Sequence, residues 1–356
     1  MTTFKVKDAE PALPLLKLPT RNAIWQYMRR FQSELLYSFE FCKNPNAPLA
    51  IQTEYALLDE QFAFSKHSQE KPICVTASGW NFLKNDMYLK FLKSVNHQNY
   101  TNYRLILTDD ASTDNSYEAL KEEIKRLPRL AARTTIIKNH QNVGSLANNY
   151  LAIHGHCEKG SIVFDVDADD TLIGRQVMKV MNALYQSSEN WVIYSNFVWL
   201  KNDYFIRGFS EPIDPKILAD NRYRALSNWR TSHLKTYLRD LYVKVPKEYF
   251  IEEGNKFYFR DSDLFQIYPL VELAGPKHLR SIPKYFYCYR TTQKEPCSWS
   301  KVFYYKQVAK TQTPLLPLSS LDSEVEVTPN YVVPEKTLEE FKSAEEEYNE
   351  CRKNDV

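Results

Sequence analysis

The stretch Phe164-Asp165-Val166-Asp167-Ala168-Asp169-Asp170-Thr171-Leu172 runs straight out of the apolar segment Ser161-Ile162-Val163-Phe164, so a strand-like run ends in four carboxylates packed into six residues. Like charges that close repel one another unless a cation or water lies between them. Oxygen donors at a strand end suit a hard divalent cation, Mg²⁺ or Mn²⁺, which keeps part of its water shell and also binds substrate phosphates. The same residues would also serve as a solvated acidic turn. Phosphoryl and nucleotide-sugar chemistry are the classes this segment brings into view.

Working outward, short apolar runs alternate with helical patterns from Lys71 onward, which predicts a parallel α/β sheet covered on both faces. Strands are expected over 72–76, 104–108, 134–138, 161–166 and 191–198, with helices over 83–95, 116–127, 145–157 and 175–187. Ligands of such sheets bind at the carboxyl ends of the strands. There the sequence places Thr76-Ala77-Ser78-Gly79, Asp109-Asp110-Ala111-Ser112-Thr113-Asp114, Asn142-Val143-Gly144 and the acidic cluster, so four polar loops meet on one rim. Upstream, Thr20 can cap a helix carrying Ile24, Trp25, Met28, Phe31, Leu35 and Leu36, and a second helix is expected from Pro48 to Lys66.

The chain of 356 residues is 43% hydrophobic, enough for a full core. Its net charge of +2 hides an asymmetry, since the segment from Ser319 onward holds 11 acidic against 4 basic residues, which leaves +9 for the rest. That excess suits an anionic small substrate and is too dilute for nucleic acid. Cys42, Cys74, Cys157, Cys288, Cys297 and Cys351 are scattered without zinc spacing, and read most simply as reduced thiols in a cytoplasmic protein. No apolar run reaches the length of a membrane span, and the polar start MTTFKVKDAE does not read as a signal peptide, so any membrane contact is expected to be peripheral.

Together TASGWN, YRLILTDDASTDNS, NVGSLANNYLAI, FDVDADD, WRTSHL and DLFQIYPLVELAG, in that order, resemble family 2 glycosyltransferases of the GT-A fold over roughly residues 71–291. The resemblance implies a Rossmann-like nucleotide-diphospho-sugar transferase sheet with flanking helices and an inverting, metal-dependent transfer of a sugar from a nucleotide diphosphate donor, UDP by family default. The acceptor would be a hydroxyl on a carbohydrate, a protein or a lipid-linked molecule. It further implies that Asp109 and Asp110 hold base and ribose, that Asp167 and Asp169 form the D-x-D with Asp169 the direct metal ligand, and that Asp263, six residues before Pro269, is the base. Thr76, Ser78, Arg230 and His233 complete the expected donor site, and Asp261 competes with Asp263 as base.

The expected organisation is a helical extension over 1–70, a nucleotide-sugar half over 71–200, an acceptor-binding and catalytic half over 201–300, and a linker with an acidic tail over 301–356. Two departures from the family stand out: Ala111 occupies a position that is commonly glycine, and the extra Asp165 and Asp170 leave the metal register open by a residue. No Q-x-x-R-W element of processive polymerases occurs, so single or limited sugar addition is expected. Asp167-Ala168-Asp169-Asp170-Thr171 also fits the D-x-D-x-T of haloacid-dehalogenase-like phosphohydrolases, where the first Asp is the nucleophile, although here three strands precede it. An inactive nucleotide-sugar-binding module is the third reading. An interface, if the chain assembles, is expected on the N-terminal helices.

Overall fold

The apolar runs that alternate with helical patterns become strands and covering helices because each strand must bury both faces. The computed structural model describes residues 69–354, except 85–86, 202–203, 209, 227–228, 260, 291–305 and 307. The expected helical extension therefore lies outside the described residues, save for its last two.

In chain order the strands are β1 (Ile73–Gly79), β2 (Tyr103–Asp109), β3 (Thr134–Lys138), β4 (Ile162–Asp165), β5 (Thr171–Leu172), β6 (Val192–Lys201), β7 (Tyr204–Arg207), β8 (Lys235–Leu238), β9 (Ile251–Glu252), β10 (Lys256–Phe257) and β11 (Leu279–Arg290). The longer helices are α1 (Met87–Asn96), α2 (Ser116–Lys125), α3 (Ser145–His156), α4 (Val177–Leu184), α5 (Ser262–His278) and α6 (Glu335–Asn354). Nine strands form one sheet in the order β3-β2-β1-β4-β8-β6-β11-β5, with β7 on β6. Strands β3, β2, β1 and β4 are parallel, β8 runs antiparallel to both β4 and β6, and β11 is parallel to β6. The α/β sheet with helices on both faces is as the sequence led us to expect, but it is mixed where the strand pattern predicted a parallel one, because β5, β7 and β8 run antiparallel to their neighbours.

The two faces follow the period-2 geometry of strands. Ile73, Val75, Leu105, Leu107 and Phe164 point to a core closed by Phe91, Leu92 and Val95 of α1, Leu120 and Ile124 of α2, and Met178 and Met181 of α4. Their neighbours Cys74, Ile106 and Val163 point to a second core closed by Leu146 and Ile153 of α3 and by Leu264, Ile267 and Val271 of α5.

Two details depart from the expectations. Cys74 on β1 and Cys157 at the end of α3 form a disulfide with Cα atoms 5.6 Å apart, so the reading of all cysteines as reduced thiols is corrected for this pair. The inference of a cytoplasmic location loses that support, because such bonds persist mainly in oxidising compartments. Cys288 is a buried free thiol.

The stretch beyond Thr311, expected as linker, packs into the second core through Leu315 and Leu318. It is fixed by Leu318 N donating to the Leu273 carbonyl at 2.9 Å and Leu315 N donating to Glu272 Oε2 at 3.0 Å. The acidic tail then forms α6, 20 residues long. Among the described residues no helix is long and apolar enough to cross a membrane.

Candidate functional site

The carboxyl ends of β1, β2 and β4 form the floor of the rim, and hydrogen bonds from the aspartates close its loops. Asp109 is fully buried and its Oδ1 accepts from the backbone N of Ser112 at 3.1 Å and from the Ser112 hydroxyl. Asp110, also buried, accepts from Asn139 Nδ2 at 2.8 Å, Val143 N at 3.0 Å and Gly144 N at 2.8 Å. These bonds lash the end of β2 to the loop before α3. The turn between them puts Ala111 at φ 61°, the left-handed region that a Cβ disfavours. Gly144 (φ 85°) meets the same demand with no side chain, and a Cβ there would stand 3.0 Å from the Phe259 ring.

Of the residues expected to contact a donor, Thr76 is wholly buried beside Asp165, its partner in register, and is closed to a ligand. Ser78 stands higher on β1 and keeps part of its surface. Trp80, the residue after β1, is half exposed, and Asp110 N donates to the Gly79 carbonyl at 2.9 Å. Arg230 is turned to Glu211, 3.2 Å from Nη1 to Oε2, and to the Pro212 carbonyl, so its described bonds do not reach the acidic cluster.

The acidic strand end is resolved residue by residue. Asp165 is buried, accepts from Asn149 Nδ2 at 3.0 Å and faces Lys235 Nζ at 3.4 Å from Oδ2. Lys235, the first residue of β8 and itself buried, bonds in turn to Asp263 Oδ1 at the start of α5. Asp165, one of the two extra aspartates, is thereby the counter-ion of a buried ammonium. Asp167, Asp170 and His233 converge, each offering a ligand atom within 4.8 Å of the other two. The sequence expectation paired Asp167 with Asp169 as metal ligands; Asp169 lies beside this group and outside it.

Tyr287 of β11 underlies the three. Its hydroxyl accepts from the Asp167 backbone N at 3.0 Å, and its ring lies on the His233 imidazole with centroids 4.6 Å apart and planes 8° from parallel. Tyr289, two residues on along the same strand, stacks on His233 at 5.3 Å.

Electrostatics follow from five carboxylates, Asp165, Asp167, Asp169, Asp170 and Asp263, gathered near one ammonium. Burial, then the Asp263 and Asp169 carboxylates, push the Asp167 carboxyl well above the usual range. Its side chain keeps 45% of its surface, where the crowding of like charges still acts on it. Burial also raises Asp165, against the pull of Lys235. Burial and then the Lys235 charge hold the His233 imidazole down to about 3, with Asp263 opposing. His233 is therefore neutral at ordinary pH, and its Nε2 stands 3.9 Å from Asp167 Oδ2. Two carboxylates and a neutral imidazole form a donor set that suits Mn²⁺, and excess negative charge is what a divalent cation would relieve.

Sequence reasoning did not single out Lys235, Tyr287 or Asn149. Lys235 shares a face with His233 by the alternation of an extended segment, which was the available signal. Tyr287 lies within the aromatic run Tyr285-Phe286-Tyr287-Cys288-Tyr289, whose pattern fits a half-buried strand and also aromatic faces that could stack on a sugar.

Residues 82–262, a little more than half of the chain, match the family described as Glycosyl transferase family 2. A candidate glycosyl transferase of colanic acid biosynthesis from Escherichia coli (strain K12), WcaA, is 27% identical over 139 residues, which is 38% of this chain and 46% of that one. The chain thus spans about half the length of the curated relative it matches. Among solved structures, S. aureus TarS 1-349 in complex with UDP-GlcNAc is 16% identical, with a TM-score of 0.46 over 67% of this chain and 66% of that one. The mannosyltransferase PcManGT from Pyrobaculum calidifontis, in complex with GDP-Man and Mn²⁺, is 13% identical, with a TM-score of 0.48 over 81% of this chain and 73% of that one.

Proposed function

The chain belongs to glycosyl transferase family 2, and from that premise we propose that it transfers a sugar from a nucleotide diphosphate sugar to a hydroxyl acceptor with inversion. The observation that carries this reading is the convergence of Asp167, Asp170 and His233 at the strand ends with Asp263 held next to them by Lys235.

Asp263 is the base. An acceptor hydroxyl is a weak nucleophile, so a carboxylate within hydrogen-bond reach must take its proton as it attacks the anomeric carbon. Of its two oxygens Oδ1 bonds to Lys235, an arrangement that fixes the direction of the carboxylate. Asp261 sits at the helix start in a left-handed conformation (φ 51°), and the charges acting on the cluster come from Asp263 instead.

Asp167, Asp170 and His233 would hold the divalent metal. When bound, the ion supplies Lewis-acid neutralisation of the charge on the departing nucleoside diphosphate. Ser78 and the half-exposed Trp80 line the approach to the donor. Residues 71–200 form the nucleotide-sugar half and 201–300 the acceptor half, and the acceptor is a hydroxyl on a carbohydrate, a protein or a lipid-linked molecule. The phosphohydrolase reading gains nothing from the site: Asp167 there is one of three converging groups and follows the fourth strand of the chain rather than the first.

The test begins with a screen of purified protein against nucleotide sugars, UDP-GlcNAc and GDP-mannose first, with Mn²⁺, reading release of the nucleoside diphosphate. Asp263→Asn is expected to keep donor binding and to lower turnover by roughly 10²- to 10⁴-fold. An Asp263→Asn enzyme with wild-type turnover eliminates the assignment of the base.

A further inference from the structure

His233 presents an unusual problem for a metal-binding histidine. Such a ring is ordinarily aimed by a hydrogen bond from its second nitrogen to a carboxylate or carbonyl. Here Nδ1 is buried with no hydrogen-bond partner in the structure. Something else must hold the ring, and the acidic loop opposite must be held to it.

We propose that Tyr287 is the positioning residue that assembles the metal site, because one side chain engages all three of its candidate ligands. This rests on the metal reading given above. The ring of Tyr287 stacks on His233, with Tyr289 extending the same surface. The Tyr287 hydroxyl accepts from the Asp167 backbone N at 3.0 Å and hydrogen-bonds the Asp170 side chain. The accounting is complete for a phenol: one lone pair takes the amide, and its single proton serves the Asp170 carboxylate.

The platform itself is rigid. Tyr287 is fully buried, and its backbone lies opposite Leu172 of β5 on one side and Phe197 of β6 on the other. Leu172 follows directly on the acidic loop, so the strand that supplies the tyrosine also pins the end of the loop it organises.

The test is Tyr287→Phe, which keeps the ring on His233 and removes only the hydroxyl. Binding of Mn²⁺ to the full chain is followed by the electron paramagnetic resonance signal of the free ion, without nucleotide and again with UDP or GDP. The Mn²⁺ Kd is expected to rise by roughly 10- to 100-fold, the usual effect of removing a group that orients metal ligands. A purely structural tyrosine would lower Tm in EDTA and leave the Kd of the folded fraction where it was, and that result overturns the inference. If wild-type protein takes up no Mn²⁺ with or without nucleotide, the metal reading itself fails and the inference falls with it. Should Tyr287→Phe not fold, a crystal of the wild type soaked in Mn²⁺ decides: an ion bound by Asp170 and His233 supports the platform, and an ion seated on Asp169 away from both refutes it.

Discussion

Replacing Lys235 with methionine isolates the strongest electrostatic interaction of the site. Lys235 and Asp165 have side chains 2% and 6% exposed with 3.4 Å between Nζ and Oδ2, whereas Asp263 on the other side of the ammonium is 31% exposed. At an effective dielectric constant of about 20, opposite unit charges at that separation attract by roughly 5 kcal/mol. Removing one partner of a buried pair costs about 3–5 kcal/mol, because the other is left as an uncompensated buried charge. Asp165 would keep only Asn149 Nδ2 at 3.0 Å. Its exposed counterpart, Asp263, can turn to water and adds little to the stability term.

For Lys235→Met we therefore expect a loss of about 3–5 kcal/mol in urea unfolding at pH 7, or roughly 6–20 °C in Tm at about 2–4 °C per kcal/mol. The double variant Lys235→Met/Asp165→Asn removes both charges and keeps a polar group for Asn149, so it should recover about 2 kcal/mol or more of that loss, within the coupling range of contacting residues. Lowering the pH should narrow the gap between Lys235→Met and wild type, since protonating Asp165 abolishes the stranded charge. A cost below about 1 kcal/mol with an unchanged m value, or a double variant no more stable than the single one, would refute the account of Lys235 as the counter-ion of a buried carboxylate.

Arg224→Met should be similarly damaging, by about 3–5 kcal/mol in urea unfolding, because Glu272 would lose a bidentate partner at 2.5 and 2.9 Å in a fully buried site. It should also expose the segment after 308 to limited proteolysis, since Arg224 Nη1 donates to the Ala309 carbonyl at 2.6 Å. Ala111→Gly should stabilise by about 0.5–1 kcal/mol, relief of a left-handed alanine outweighing the added freedom of the unfolded chain, and a lower urea midpoint would contradict the turn geometry. Acid should destabilise the fold through its buried histidines, against the opposing proton uptake of the raised carboxyls of Asp165, Asp167 and Glu272. His97, His154 and His278 are held below their ordinary value by burial, and His233 down to about 3. The unfolded chain then binds more protons once the pH falls below about 6.5, so Tm should drop between pH 7 and 5, and a flat profile there would count against these shifts.

How far the sequence reveals this site depends on which physical signal each residue leaves. The strands of the parallel half announce themselves as apolar runs between helical patterns, and β3 matches its expected span of 134–138. The acidic loop is visible because four carboxylates in six residues call for an explanation. By contrast β8 is four residues long, and nothing in Lys235-Thr236-Tyr237-Leu238 says that it inserts between β4 and β6. The disulfide joins residues 83 apart with no motif around either cysteine, and only the packing of α3 against β1 brings them together. Asp110 looks like a ligand-binding residue by position, yet its oxygens accept three hydrogen bonds from neighbouring loops.

The antiparallel placement of β8 is what turns a row of carboxylates into a balanced site. A parallel strand delivers only its last residues to the rim, and in this chain β4 delivers aspartates there. A strand running the other way between β4 and β6 begins at that rim, so the residues at its start, His233 and Lys235, arrive opposite the end of β4, with Lys235 in register with Asp165. The neutral imidazole joins Asp167 and Asp170 while the ammonium satisfies Asp165 and reaches Asp263. Strand β11, parallel to β6, carries Tyr287 to the same edge under the histidine. Each of the three strands thus contributes a different chemical kind of group, and exchanging the direction of β8 alone would leave the carboxylates with neither partner.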